Sequence, residues 1–376
     1  MNKTIAEILE AIESNGFEAY IVGGYVRDFI IGIDSTDIDI CTNAKVVDLL
    51  KILEKYQPTS GSYGAVKFTY NNYKVDITTY RKDLKYNGAR NNLEVEYVNN
   101  LLDDLKRRDF TCNTICMNRN GEIIDLLDGC KDIEQKLVRC VGNVEKKISE
   151  DPLRILRAIR LATCLNFKIE PTLYENIKKY RESIADLSTN RIKEELSKIL
   201  TSKNFYKGLD FFKRLGMTEY LGLSYDKIQY VPDICGMYSQ IELTREFPFT
   251  KKELENINSI KKIIKYGKID KEILFTYGLY ISLVAGELLG FTKEEITELD
   301  KKMSIKTIKD IAISSDEICE ILSIEPSKAI GEVYSVLKSM ILDEELENDN
   351  EVIKQHLETK GKKWLNEGEF KKGFTF

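Results

Sequence analysis

Histidine is nearly absent from this sequence: His356 is the one histidine among 376 residues. Zincin motifs, histidine-aspartate phosphohydrolase sites and histidine-based triads all need histidines placed beside other catalytic groups. These chemistries are therefore excluded.

Metal-binding cysteine pairs and long apolar runs are also missing. The eight cysteines form no CxxC pair and mostly stand inside apolar runs, which predicts reduced, buried thiols. No window reaches the roughly 18 uncharged apolar residues of a membrane span, and the first residues lack the apolar core of a signal peptide. We therefore expect a cytoplasmic protein.

The charge is not strongly of one sign. A net charge of −5 argues against a uniformly basic surface, although residues 131–215 carry 19 Lys and Arg against 12 Asp and Glu. Such a local basic face permits a nucleic-acid partner, but an ordinary solvated helical surface has the same composition.

Two patterns divide the chain near residue 142. From Phe17 to about Val141, short apolar segments alternate with glycine turns and short helical segments, which predicts an α/β arrangement. After Gly142 helical periodicity continues almost without interruption. The predicted fold class is α+β: a mixed sheet with helices, followed by an all-helical part.

A glycine turn followed by paired aspartates is the first group of residues with chemical meaning. GGYVRD precedes STDIDI, in which Asp37 and Asp39 are two residues apart. On a strand such residues face the same side, so their carboxylates predict a divalent-cation site. Magnesium prefers few carboxylates plus substrate phosphates, which suits a nucleoside triphosphate. A DxD segment alone is more often an exposed turn, and the glycine motif argues against that interpretation.

The turn and a later strand add further candidates. Gly23 and Gly24 lack Cβ atoms and let backbone amides approach phosphate oxygens, while Arg27, beside Asp28, adds positive charge on the next helix. Asp76 in KVDITTYR is a third carboxylate, which completes the metal site, serves as a base, or simply faces solvent.

The segment KRRDFTCNT is the second group. Its polar residues follow a predicted strand and are expected to contact triphosphate or ribose, because paired arginines match phosphate geometry; they are Arg107, Arg108, Asp109 and Asn113. A surface charge cluster is the alternative interpretation.

The segment SEDPLRILRAIR is the third group. We expect Ser149 to cap a helix that has Pro152 in its first turn. At 100° per residue one face of that helix carries an acid beside arginines, namely Glu150, Arg154 and Arg157, and Asp151 and Arg160 flank that face. Ion pairs on an ordinary amphipathic helix give the same pattern. Carboxylate acceptors beside guanidinium donors, however, match the amino donor and ring-nitrogen acceptor shared by cytosine and adenine.

Four ordered motifs resemble those of class II tRNA nucleotidyltransferases, the CCA-adding enzymes, and of bacterial poly(A) polymerases: GGYVRD with TDID, RRDFTCN, EDPLRILRAIR and NRIKEEL. The resemblance spans nearly the whole chain. It implies a polymerase-β-type nucleotidyltransferase head at 1–141, a base-recognition neck at 142–200, a helical body at 201–300 and a tRNA-binding tail at 301–376. It also implies tRNA, CTP and ATP as substrates and Mg²⁺ as cofactor, with no membrane and no obligate protein partner.

The resemblance also assigns roles at matching positions. It implies Asp37 and Asp39 as metal ligands, and nucleotide contacts for Gly24, Arg27 and Arg108. Asp151 and Arg154 become the amino-acid template for the base, and Arg157 and Arg160 become triphosphate ligands. The implied reaction is template-independent addition of CCA to the 3′ end of tRNA with release of diphosphate.

Three positions bear on how closely the chain follows the family pattern. Tyr63 stands where the family has histidine, and Asn190 stands where glutamate is usual. Arg90 lies in the position of a flexible loop whose basic residue assists the switch from C to A addition, which favours full CCA addition.

Three other functions remain open. A poly(A) polymerase and an enzyme that adds only the terminal A share the same head and neck motifs, although the acidic DEELENDNE segment argues against the basic C-terminus expected of a poly(A) enzyme. An RNA-binding protein that has lost catalysis is disfavoured by the intact aspartates and arginines of the motifs.

Overall fold

The computed structural model describes residues 3–61, 64–85, 94–361 and 364. The chain divides into two units. The first contains the described residues up to Ser224 together with Leu243–Pro248, and the second contains Tyr225–Glu242 and the described residues from Phe249 onward.

A mixed sheet organises the first unit. The strands in chain order are β1 (Ala19–Val22), β2 (Asp37–Thr42), β3 (Thr59–Ser60), β4 (Ala65–Tyr70), β5 (Tyr73–Thr79), β6 (Arg81–Lys85), β7 (Glu94–Tyr97), β8 (Cys116–Met117), β9 (Ile123–Ile124), β10 (Leu137–Val138), β11 (Lys168–Ile169) and β12 (Leu223–Ser224). Seven of them form one sheet in the order β3-β4-β5-β2-β1-β8-β9, in which β2 and β5 are parallel and the other neighbours antiparallel. The strand predicted around Asp76 is confirmed as β5, and β6 and β7 pair with each other outside the large sheet.

The period of two decides which face of β2 and β5 is buried. Ile38, Ile40, Val75 and Ile77 are buried. On β2 the alternating residues, Asp37 and Asp39, face out. Alternation of this kind is expected where one sheet face packs on a core and the other meets solvent. The outward face is therefore free to carry polar chemistry.

Helices cover the sheet and then continue the first unit. They are α1 (Lys3–Glu13), α2 (Gly24–Ile31), α3 (Val46–Ile52), α4 (Leu101–Arg107), α5 (Gly129–Glu134), α6 (Val144–Glu150), α7 (Leu153–Cys164), α8 (Pro171–Tyr180), α9 (Thr189–Leu200), α10 (Phe205–Arg214) and α11 (Thr218–Leu221). A mixed sheet followed by helices confirms the predicted fold class.

The predicted start of the helix in the segment SEDPLRILRAIR is wrong. Ser149 lies inside α6 and donates to the carbonyl of Lys146, and the next helix, α7, begins only at Leu153. Asp151 between them is extended, with φ −146° and ψ 98°. The cause is Pro152, whose ring disfavours helical geometry in the residue before it. Glu150 and Arg154 therefore belong to different helices, and the single projection at 100° per residue does not apply across the break.

The second unit is helical apart from short segments. Its helices are α12 (Ile234–Tyr238), α13 (Lys251–Tyr266), α14 (Lys271–Leu289), α15 (Lys293–Lys301), α16 (Ser315–Leu322), α17 (Lys328–Leu342) and α18 (Asn350–His356). The short strand β13 (Glu242–Leu243) lies where the chain passes between the units. Capping boxes start α13, α15 and α16, where a Ser or Thr precedes a Glu by three residues.

One described helix, α14, has the length and apolar composition of a membrane span. Gly278 interrupts it with φ 77° and ψ 168°, so two shorter helices meet there. The pieces pack against α13, α15 and α17 within the second unit. A helix of this kind is weak evidence for a membrane, because core helices of soluble proteins share its composition.

All eight cysteines are free thiols. Burial is as predicted for five of them, while Cys130 and Cys319 are partly buried. Cys164 is exposed, contrary to the prediction. It occupies the last position of α7.

Candidate nucleotidyl-transfer site

Strand β2 carries the two aspartates on its outward face. Asp37 and Asp39 are exposed, and Ile38 between them is buried. The parallel register places Asp39 beside Asp76 of β5. Three carboxylates therefore stand on one face of two adjacent strands, as the period of two predicts.

The neighbours of Asp39 perturb its acidity. Desolvation by the surrounding protein raises the pKa of Asp39, although part of the side chain meets solvent. The positive charge of Arg108 lowers this pKa in part, and the negative charges of Asp76 and Asp37 raise it further. Like charges placed close together disfavour ionisation of the group between them. A cation at this position would relieve that repulsion.

The donor set fits a magnesium ion that keeps ligands from substrate. Within the described ranges, no three His, Cys, Asp or Glu side chains are grouped as a metal cage. Asp76 is held by Lys67 through its Oδ2 atom, while its Oδ1 atom is buried without a hydrogen-bond partner. A small number of carboxylates is what Mg²⁺ uses when triphosphate oxygens complete its shell.

The glycine turn is built close against Asp39. Gly23 has φ 86° and ψ −141° and precedes α2, a backbone conformation that side-chain-bearing residues rarely adopt. A Cβ atom there would lie 3.1 Å from Asp39 Oδ2 and 3.8 Å from Arg108 Nη1. The sequence thus places glycine where the turn, the aspartate and an arginine come together.

Arg27 binds both Asp28 and Asn113. Arg27 donates to Asp28 Oδ1 at 2.6 Å and to Asn113 Oδ1 at 2.6 Å, and its own side chain is buried. Of the three residues, Asn113 lines the cleft described below. Arg27 therefore connects α2 to the RRDFTCN segment through Asn113, and Asp28 holds Arg27.

Asp104 is a buried residue that the sequence analysis did not single out. Its Oδ1 atom accepts from Arg107 Nε at 2.8 Å and from the backbone of Arg81 at 3.3 Å, and its Oδ2 atom accepts from Arg108 Nη2 at 3.1 Å. Burial alone would lower the pKa of Arg108, but Asp104 first and Asp39 with it outweigh that effect, so the pKa is raised. The available signal was its spacing of three and four residues from the two arginines on one helix.

Asp109 organises the arginines of α7. Its Oδ1 atom accepts from Arg154 Nε at 2.7 Å, and its Oδ2 atom lies 2.5 Å from Arg157 Nη1. Burial alone would raise the pKa of Asp109, but Arg157 and Arg154 outweigh it and lower the pKa. Arg154 also lies 3.5 Å from Glu150 and donates to the carbonyl of Lys147.

Two further ion pairs join α7 and the break before it to α9. Arg191 Nη2 donates to both carboxylate oxygens of Asp151, at 2.9 and 2.8 Å. Arg160 Nε lies 2.5 Å from Glu195 Oε2. Sequence analysis missed Arg191 and Glu195 as partners because they stand 40 and 35 residues away from the side chains that they hold.

A cleft of about 280 Å³ brings most of these groups together. It is lined by Gly23, Gly24, Asp39, Arg81, Asp83, Arg107, Arg108, Asp109, Asn113, Asp151, Arg154 and Arg157. Arg81 and Asp83 had not been predicted. Arg160, predicted as a triphosphate ligand, is not part of the lining and is engaged with Glu195. The cleft joins the glycine turn, four aspartates and five arginines, and these include Asp151 and Arg154, the predicted base-reading pair.

Family models match three parts of the chain. Residues 19–139 match the poly A polymerase head domain, 166–225 a probable RNA- and SrmB-binding site of polymerase A, and 239–357 a putative second domain of tRNA nucleotidyltransferases. The CCA-adding enzyme of Ligilactobacillus salivarius is 32% identical, covering 93% of this chain and 95% of that protein. This chain belongs to the CCA-adding enzyme family. The CCA-adding enzyme of Bacillus cytotoxicus is 30% identical, covering 95% of this chain and 98% of that protein.

Solved structures of CCA-adding enzymes share the fold. The Bacillus stearothermophilus CCA-adding enzyme in complex with CTP matches with a TM-score of 0.85 at 24% identity, over 98% of this chain and all of the other. The Thermotoga maritima CCA-adding enzyme complexed with tRNA matches with a TM-score of 0.64 at 19% identity, over 96% of each chain. The predicted family and the nucleotidyltransferase class are confirmed.

The departures from the CCA-adding enzyme pattern fall away from the cleft or outside the described ranges. Asn190 donates to Glu194 on the exposed side of α9 and does not line the cleft. Tyr63 and Arg90 lie outside the described residues, so the predictions attached to them stay predictions.

Proposed function

We propose that this protein adds CCA to the 3′ end of tRNA from CTP and ATP, releasing diphosphate at each step. The observation that carries the proposal is one cleft whose lining includes Asp39, the pair Asp151 and Arg154, and four further arginines. A nucleoside triphosphate needs these kinds of group: metal ligands at the α-phosphate, cations along the triphosphate, and a polar pair at the base.

Asp37 and Asp39 would hold Mg²⁺ between them. Bound there, the ion supplies charge neutralisation at the triphosphate and a lowered pKa for the attacking hydroxyl. The glycine turn keeps backbone amides close to the phosphates, and Arg108, held by Asp104, supplies a fixed cation. Asp76, held by Lys67, keeps negative charge next to Asp39.

Asp151 and Arg154 would read the base. The carboxylate accepts from the exocyclic amine of cytosine or adenine, and the guanidinium donates to the neighbouring ring nitrogen. Arg191 fixes the carboxylate and Asp109 fixes the guanidinium, so both groups are oriented before the nucleotide arrives. Uracil and guanine present the opposite polarity and would leave both groups unsatisfied.

Arg157 and the arginines Arg107 and Arg108 are the triphosphate ligands in this proposal. Arg160 is assigned instead to holding α7 against α9 through Glu195. Arg27 with Asp28 and Asn113 is assigned to fixing the turn, with Asn113 at the cleft wall. We further propose the division into head, neck, body and tail at residues 1–141, 142–200, 201–300 and 301–376, and a cytoplasmic location.

One experiment tests the reaction and separates it from its alternatives. Purified protein with magnesium is given tRNA lacking its 3′ CCA, with labelled CTP or ATP singly and together, and the products are sized on a sequencing gel. CTP alone should give CC addition, and both nucleotides should give CCA and then stop. A long ladder of A residues would instead identify a poly(A) polymerase, and incorporation of A only onto tRNA already ending in CC would identify an A-adding enzyme.

Asp37→Ala is the matched control. It should abolish incorporation while the protein remains folded, because the side chain is exposed and its removal leaves no cavity. Wild-type incorporation by that variant would remove the metal site from β2.

A further inference from the structure

The C-terminal end of α4 is held by a side chain from α6. The ammonium group of Lys147 donates to three backbone carbonyls, those of Lys106 at 3.1 Å, Arg107 at 2.7 Å and Arg108 at 3.1 Å. The last carbonyls of a helix have no partner within the helix, and a lysine placed there satisfies them and interacts favourably with the helix dipole. All three N–H donors of the ammonium group are thereby used on one turn of backbone.

The two arginines on that turn are also held through their side chains. Asp104 binds the guanidinium groups of Arg107 and Arg108, and both arginines line the cleft of about 280 Å³. Lys147 is not part of that lining. It holds the backbone of the arginines while Asp104 holds their side chains, so the position of each cation depends on both contacts.

The backbone carbonyl of the same lysine is bound by the base-reading pair. Arg154 Nη1 donates to the oxygen of Lys147, and the backbone N–H of Asp151 donates to the same oxygen at 3.3 Å. Lys147 is therefore bonded through its carbonyl to Asp151 and Arg154, and through its ammonium group to the start of the RRD segment.

An ordinary helix cap is the alternative interpretation of Lys147. The last turn of α4 already contains two basic residues of its own, Lys106 and Arg107, which complement the helix dipole locally. Lys147 instead comes from 39 to 41 residues further along the chain. Its contacts join two helices that carry different parts of the proposed nucleotide site, which a local cap does not do.

We propose that Lys147 is a positioning residue that sets the spacing between the base-reading pair and the arginines of the RRD segment. The inference rests on the proposed function, in which one nucleotide engages both groups at once. A ligand that spans two subsites gains affinity from both only when their separation matches its own length. Lys147 acts on that separation through backbone contacts and does not touch the nucleotide.

The test measures ligand binding to the full-length protein by isothermal titration calorimetry, with magnesium and without RNA. CTP spans both subsites, whereas inorganic tripolyphosphate occupies only the arginines. Lys147→Met removes the three donors, and Lys147→Arg retains a positively charged donor group. Lys146→Met is the matched control, because Lys146 is the neighbouring residue on α6 and its side chain is 77% exposed. Denaturant titration shows whether each variant folds.

The two ligands should respond differently to Lys147→Met. Affinity for CTP should fall about 5- to 10-fold and affinity for tripolyphosphate should stay within about twofold, because each subsite persists and only their spacing is lost. The preference for CTP over UTP should fall with the affinity for CTP. Lys147→Arg should recover part of the CTP affinity, and Lys146→Met should match the wild type. A loss of stability alone would not separate the two ligands.

Two outcomes would overturn the proposal. Equal weakening of CTP and tripolyphosphate would assign Lys147 to the arginines alone. Unchanged affinity for CTP in a folded Lys147→Met variant would reduce Lys147 to an ordinary helix cap. If Lys147→Met does not fold, the same comparison is made with Lys147→Gln, whose amide retains two N–H donors. Because the binding assay contains no RNA, a wild-type protein that fails to add CCA would be recognised separately, in the gel assay on tRNA.

Discussion

Replacing Gly23 by alanine tests whether the glycine turn sets the position of Asp39. The new Cβ atom would lie 3.1 Å from Asp39 Oδ2, tighter than ordinary van der Waals contact. The carboxylate must then move by a few tenths of an ångström. Since misplacing a catalytic group by about 1 Å can cost about 100-fold in rate, we expect transfer to slow about 3- to 10-fold at saturating CTP and tRNA.

Backbone strain has to be separated from that displacement. Gly23 has φ 86° and ψ −141°, and forcing a Cβ into such a region costs about 1–3 kcal/mol of stability. Gly32, at the other end of α2, has φ 76° and has no atom within 4 Å of its would-be Cβ. Gly32→Ala therefore supplies left-handed backbone strain of about 1–2 kcal/mol without contact to the site.

The assay is single-turnover incorporation of CMP into tRNA lacking CCA, together with the free energy of unfolding from denaturant titration. Both variants should lose stability, but only Gly23→Ala should lose transfer rate; Gly32→Ala should stay within about twofold of wild type. Equal transfer rates in the two variants would show that the turn does not position the carboxylate.

Three further predictions concern the metal, the base and pH. Asp39→Ala should abolish transfer and leave tRNA affinity within about threefold in a filter-binding assay, because the metal contacts substrate phosphates rather than the tRNA body; wild-type turnover would contradict it. Arg191→Met should release Asp151 and reduce the preference for CTP over UTP about 10-fold, while Arg191→Lys loses less; unchanged preference in a folded Arg191→Met variant would place base reading elsewhere. The pKa of Asp109 is lowered in the folded protein. Its stabilising contribution is therefore present above the unfolded pKa of about 3.9 and disappears as pH falls through the lower folded value. Denaturant titrations should accordingly show a smaller loss of stability in acid for Asp109→Asn than for wild type.

The local part of the site could be predicted from the sequence. The spacing of Asp37 and Asp39 gave their shared face, because the period of a strand is a property of the strand alone. The glycine turn, the strand and the RRD segment that the sequence singled out likewise contribute to the cleft. These features need only a few consecutive residues, and tertiary packing did not overrule them.

The pairings between segments could not be read in the same way. Asp151 binds Arg191, and Arg160 binds Glu195, and each pair depends on how α7 packs against α9. The family resemblance implied Arg160 as a triphosphate ligand, whereas packing directs its side chain to Glu195. The break at Pro152 was present in the sequence as an Asp-Pro step, but the capping pattern around Ser149 suggested a continuous helix instead.

The network of carboxylates explains why this site can contain so many arginines. A guanidinium that must be ordered by the substrate loses up to about 2 kcal/mol of rotamer entropy on binding. Here Asp104 holds Arg107 and Arg108, and Asp109 holds Arg154 and Arg157, so that ordering is complete in the free protein. Each carboxylate also offsets part of the repulsion among the cations. The consequence is a cleft whose arginine donors are held by carboxylates before any substrate binds, and under the proposed function such preorganisation favours the transition state over a loosely bound substrate.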